Sequence, residues 1–218
     1  ILKKTETLIN SISSNNLISF SELYKYRDLL YFMVLREIKV LYKQTILGFS
    51  WAIIRPTISM VIFSIIFGNL AQIPSDGIPY PIFSYTALVP WTYFSTALTS
   101  SSTSLVKNTG IFTKVYFPRV IIPITPVISG LVDFLISMSI VFVLMIYYGI
   151  SLNINIIWFP FLVLMMILTS AGLGMWFSAL AVQFRDIRYA IQFLSQLLMY
   201  AAPVVWPISL LSKKFGED

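Results

Sequence analysis

The spacing of charged residues decides what this chain can fold into. Twenty uncharged residues separate Arg55 from Asp76, 30 separate Asp76 from Lys107, 51 separate Asp133 from Arg185, and 24 separate Arg188 from Lys213. A helix needs about 20 mostly apolar residues to cross the hydrocarbon core of a bilayer. Each gap therefore admits one crossing, and the 51-residue gap admits two. Residues 149–155, with two Asn and a Ser, supply the turn inside it. Composition agrees: 57% of the residues are hydrophobic and 11% are charged, against ~25% charged in soluble domains. An ordinary soluble enzyme, a disordered chain and a collagen-like chain are all excluded.

The pattern predicts an all-α polytopic membrane protein with five visible spans, at about 48–71, 82–106, 121–148, 156–183 and 189–211. The second is the least apolar, with Ser95, Thr96, Thr99 and the run 100–104. Hydroxyls are tolerated in a membrane helix because they bond back to its carbonyls or across to a neighbour. Pro56 inside the first span and Pro203 and Pro207 in the fifth are expected to bend those helices.

Basic residues alternate between the connections. Seven Lys and Arg precede the first span, the loops at 72–81 and 149–155 have none, the second inner loop has Lys107, Lys114 and Arg119, and the third has Arg185 and Arg188. Positive charge collects on the cytoplasmic side of membrane proteins, so the N-terminus is expected there. The net charge of +6 is topogenic on this reading, and no nucleic-acid partner is implied. The chain divides into a cytoplasmic N-terminal segment, 1–47, and a transmembrane domain, 48–218. Within the first, residues 27–47 have a helical pattern. Asp28, Arg36, Lys39 and Lys43 fall within an arc of about 80°, and apolar residues cover most of the rest. That is an amphipathic helix lying on the inner face of the membrane, either a simple anchor or a moving element.

With no Cys and no His, thiolate chemistry and the commonest general base and metal ligand are absent. No metal site and no cofactor are expected in this chain. Two charges sit well inside spans, Arg55 on the order of 10 Å deep and Asp133 on the order of 15 Å, at ~1.5 Å per residue. A charge at mid-bilayer costs about 2.5–3.5 kcal/mol, so a functional role is the default. The two are at similar depth and can pair. Snorkelling of Arg55 to the headgroups and packing of a hydrogen-bonded Asp133 stand beside that reading. Trp91, Tyr93, Tyr200 and Trp206 either belong to an interfacial aromatic belt or stack on sugar rings in a pore. The loops 107–123, KNTGIFTKVYFPRVIIP, and 183–192, QFRDIRYAIQ, mix Arg with aromatics, as docking surfaces do. No GxxxxGK phosphate loop is present, so a partner is expected to supply energy.

Several segments then resemble a known family. Residues 42–56, YKQTILGFSWAIIRP, are similar to the signature at the start of the first span in permeases of type-2 ABC exporters. KVYFPR at 114–119, FRDIR at 184–188 and APVVWPISLL at 202–211 are similar, in order and spacing, to the branch that exports polysaccharides and polyol phosphates. Those are the O-antigen, capsule and teichoic acid permeases.

The resemblance implies one half of a homodimer in the bacterial inner (cytoplasmic) membrane. Each half would bind a cytosolic ATPase that holds ATP and Mg, and would pass a lipid-linked glycan. It implies that Lys114, Tyr116, Phe117, Pro118, Arg119, Phe184, Arg185, Asp186 and Arg188 lie in loops contacting the ATPase. It further implies a sixth span beyond Asp218, and no catalytic residue in this chain. Lys39, Lys43 and Arg55 are candidates to meet the lipid phosphates at the inner mouth. A type-2 ABC permease for a drug or lipid, and a membrane-embedded enzyme or scaffold, are the alternatives.

Overall fold

The computed structural model describes residues 24–43, 48–112, 116–204 and 206–209, all of the regular structure in them helical. The described helices are α1 (Arg27–Lys43), α2 (Ser50–Phe63), α3 (Tyr80–Lys107), α4 (Thr109–Phe112), α5 (Ile121–Tyr147), α6 (Phe159–Gln183) and α7 (Ile187–Ala201). A π-helical segment, Ser64–Leu70, continues α2, and a 3-10 turn, Ile154–Trp158, leads into α6. Among the described residues three stretches are long and apolar enough to cross a membrane: Ser50–Leu70, Ile121–Tyr147 and Ile154–Gln183.

α3 is the centre of the bundle although it is less apolar than α5 or α6. Its most extensive neighbours are α5 and α6. Small side chains let the backbones approach, as they do between membrane helices generally. Ser101, Ser102 and Ser104 of α3 and Ser170, Gly174 and Ser178 of α6 are all buried. A Cβ at Gly174 would overlap the Ser101 side chain. The hydroxyls find partners on both neighbours: Ser101 Oγ donates to the Pro123 carbonyl of α5 at 2.7 Å and Ser104 Oγ lies 3.4 Å from Ser178 Oγ of α6. Elsewhere the core is Tyr85, Val89, Tyr93, Val127, Phe134 and Val141. The outer flanks of α6 remain exposed and apolar, as at Leu162, Leu168 and Trp176.

α1 lays Leu29, Leu30 and Met33 over Phe117, Ile121 and Ile122 at the start of α5. Arg36, Lys39 and Lys43 are exposed, as are the apolar Val40 and Leu41. The predicted continuation of α1 at 44–47 lies outside the described residues. α5 ends at Tyr147, and Gly149 just beyond its cap has a φ of +66°, which suits a residue without a Cβ. The Ile150 N–H then bonds the Met145 carbonyl at 2.9 Å.

Within the predicted fifth span, the described helix ends ahead of the prolines. α7 ends at Ala201, because Pro203 and Pro207 lack the N–H groups that would extend it. The described part of the following segment folds back instead: Ser209 Oγ donates to Asp76 Oδ1 at 2.7 Å. Pro56 sits buried within α2, and a π-helical run continues the helix beyond it.

Candidate functional site

A cleft separates α3 from α7, which run antiparallel. Helical spacing aligns Trp91, Thr92, Ser95, Thr96, Thr99 and Ser100 along one face of α3. Gln192, Ser195, Gln196 and Met199 oppose them from α7, in a hollow of about 390 Å³. Thr99, Ser100 and Gln192 also line a further hollow of about 300 Å³, closed by Thr103, Lys107, Arg188 and Tyr189. From Trp91 to Lys107 the track is about 24 Å long, at ~1.5 Å per residue.

The hydroxyls along it donate to their own helices. Thr99 Oγ1 bonds the Ser95 carbonyl at 2.7 Å, Thr103 Oγ1 the Thr99 carbonyl at 3.2 Å, and Ser195 Oγ the Ile191 carbonyl at 2.8 Å. Each oxygen keeps acceptor capacity, and the two glutamine amides add donors. A chain rich in hydroxyls can exchange its water for such a wall. The spacing of Arg188, Gln192 and Gln196, four residues apart, was the readable signal for this face. The hydroxyls of α3 taken alone read as a weak span.

Arg55 and Asp133 line one cavity of about 180 Å³, with Thr92, Thr96, Tyr93 and Ser137. The Arg55 guanidinium lies over the Trp51 ring, 5.7 Å from its centroid. Asp133 Oδ1 is buried and has no hydrogen-bond partner. No ion pair joins Arg55 and Asp133; among the described residues only Arg27 and Asp28 come within range, at 3.8 Å. Lys39 and Lys43 border a separate groove on α1, beside Phe32 and Arg36. Glu37, on the same helix, is partly buried. Burial pushes its carboxyl above the ordinary value of 4.5, with Lys107 and then Arg36 pulling it back.

The aromatic candidates separate. Trp91 lines the cleft. Tyr93 turns into the core, its Oη donating to the Val127 carbonyl at 2.9 Å. Tyr200 is 61% exposed. Trp206 packs near Leu88, Phe63 and Phe67, and its Nε1 donates to the Tyr200 carbonyl at 3.2 Å.

The loop candidates separate as well. Tyr116, Arg119, Phe184, Arg185 and Asp186 are exposed, Pro118 is half-buried, and Phe117 is buried under α1. Arg188 is half-buried and faces the cleft. Lys114 lies outside the described residues.

A polar cleft among membrane helices, beside exposed basic and aromatic loops, is consistent with transport. Residues 28–216 match the profile of the family described as ABC-2 type transporter. The chain belongs to the ABC-2 type transporter family. It is an integral membrane protein, with helices that meet the length and apolarity of membrane spans. This ABC-2 chain is 32% identical over 198 residues to the O-antigen export system permease protein RfbA of Myxococcus xanthus, covering 90% of this chain and 75% of that one. Its identity to RfbA of Klebsiella pneumoniae is 29% over 192 residues, covering 87% and 73%. The polysialic acid transport protein KpsM of Escherichia coli is 25% identical over 193 residues, covering 84% and 71%.

Proposed function

We propose that this chain is the membrane-spanning subunit of an ATP-driven exporter of a lipid-linked polysaccharide or polyol phosphate polymer. The cleft between α3 and α7 carries this reading. It is long, lined by hydroxyls and amides, and has the Trp91 indole near one end. Many weak hydrogen bonds and ring stacking hold a glycan loosely enough to slide. The names of the relatives, O-antigen export and polysialic acid transport, favour a glycan over a drug or a free lipid.

On this reading five segments cross the inner membrane with the N-terminus in the cytoplasm, and α1 is an interface helix on the inner face. Two copies form the exporter. ATP and Mg are bound by a separate ATPase, which docks on Tyr116, Arg119, Phe184, Arg185 and Asp186, together with Lys114. Phe117 supports that surface from beneath. When the ATPase pair closes on ATP, motion enters through these loops and α1, which rests on the start of α5. The halves shift and the polar cleft opens to the polymer.

Co-purification from native cells tests the assembly. A stoichiometric ATPase subunit is expected, weakened by Arg119→Glu and by Arg185→Glu with the membrane subunit still folded. Recovery of this protein alone, after crosslinking and in several detergents, would overturn the reading.

A further inference from the structure

The two basic residues at the end of the cleft are not explained by a wall for neutral sugars. Lys107, at the last position of α3, and Arg188, near the start of α7, come from distant parts of the sequence and close the same hollow. Arg188 is half-buried, and its Nε is buried without a hydrogen-bond partner. A guanidinium donor that has left water and found no acceptor is costly. The side chains around it are Thr99, Ser100, Thr103, Tyr189 and Gln192, and no carboxylate lines the hollow. Lys107 acts on Glu37 of α1, lowering a carboxyl pKa that burial raises. The lining of the hollow thus has two cations, five groups able to hydrogen-bond, and no carboxylate.

We propose that Lys107 and Arg188 form an anion site for a phosphate or diphosphate group, at the end of the track that receives the polymer. Guanidinium and ammonium groups beside hydroxyl donors are the usual recognition set for phosphate oxygens. The position deepens the export reading and rests on it. The phosphate of the carrier lipid would dock here while the first sugars enter between Thr99 and Gln192. Arg188 is then a substrate-binding residue, although its neighbour Arg185 points to solvent.

The test uses the purified full-length protein in phosphatidylcholine nanodiscs, titrated calorimetrically with farnesyl diphosphate, inorganic pyrophosphate and farnesol. Farnesyl diphosphate is expected to bind and farnesol not to. Lys107→Gln and Arg188→Gln are each expected to weaken binding roughly tenfold or more, the scale of a lost charge-assisted bond. Arg188→Lys should retain most of the affinity. Pyrophosphate binding as tightly as farnesyl diphosphate supports the site and makes the phosphate alone its ligand. Tighter farnesyl diphosphate supports a lipid-borne phosphate. Should Arg188→Gln unfold, Lys107→Gln, on an exposed side chain, carries the test.

The site is overturned if neither substitution changes diphosphate binding, or if farnesol binds as well as its diphosphate. It is equally overturned if the variants keep the diphosphate and lose the ATPase subunit instead. The titration needs neither polymer nor ATP, so intact diphosphate binding in a protein that exports no glycan would fault the cargo assignment and leave the anion site standing.

Discussion

The Ser137 hydroxyl on α5 donates to the Ala52 carbonyl on α2 at 2.7 Å. Ala52 is four residues before Pro56, which sits within α2 and has no N–H to offer that carbonyl. Ser137 therefore replaces the helix bond that proline removes, and it ties α2 to α5 beside the Arg55–Asp133 cavity. Ser137→Ala should cost about 1–2 kcal/mol, read as a lower melting temperature in detergent. In a Pro56→Ala background the new N–H satisfies Ala52, and the same substitution should cost much less. Additive effects across that double-mutant cycle would show the bond to be incidental.

Gly174 faces Ser101 across the closest part of the α3–α6 seam. Gly174→Val should destabilise the protein by about 1–3 kcal/mol through overpacking, with Ser101→Gly restoring part of it. Thermal unfolding of the two single variants and the pair checks this. A valine tolerated without loss would mean the helices separate more easily than the seam implies.

Glu37 ties α1 to the end of α3. Burial raises its carboxyl above 4.5, and Lys107 and Arg36 oppose that rise only in part. A folded-state pKa above the unfolded one means that folding favours the protonated form. The resulting stability is full below the unfolded pKa and is lost as pH rises through the raised value. Glu37→Gln lacks this dependence. The melting temperature of Glu37→Gln relative to the parent should therefore climb as pH increases through the upper carboxylate range, then level off. A difference that is flat with pH would contradict the burial.

Within the loop at 116–119, adjacent aromatics have different duties. Tyr116 is 80% exposed and Phe117 is 5% exposed. Tyr116→Ala should weaken recovery of the ATPase with little change in melting temperature. Phe117→Ala should cost about 3–5 kcal/mol of stability, the scale of a buried aromatic truncation. Equal losses of stability in both would remove Tyr116 from the docking surface.

The gaps between charges made the helical bundle legible, because burying an unpaired charge in hydrocarbon is costly enough to leave a mark in the sequence. Element positions follow: α5 and α6 lie where apolar runs placed them. The role of α3 was not legible. Its serines lower its hydropathy, and only packing against Gly174 and Ser178 reveals why they are tolerated. The helix of the fifth span ends at Ala201, just ahead of Pro203, although apolarity continues beyond it. At the candidate site, Arg55 and Asp133 were read to similar depths and do share a cavity, but no periodicity could tell that Arg55 rests on Trp51. Phe117 and Arg188 looked like their exposed neighbours, because one loop sequence alternates between facing solvent and facing protein. The cleft itself joins residues nearly a hundred positions apart, from Ser95 to Gln192, and only the tertiary fold brings them together.

The most direct measurement is the surface polysaccharide of native cells lacking this protein, compared with the same cells carrying it again on a plasmid. The account predicts loss of one surface polymer, accumulation of its lipid-linked form on the cytoplasmic side, and recovery of both on complementation. Unchanged surface polysaccharide with no internal accumulation would contradict it.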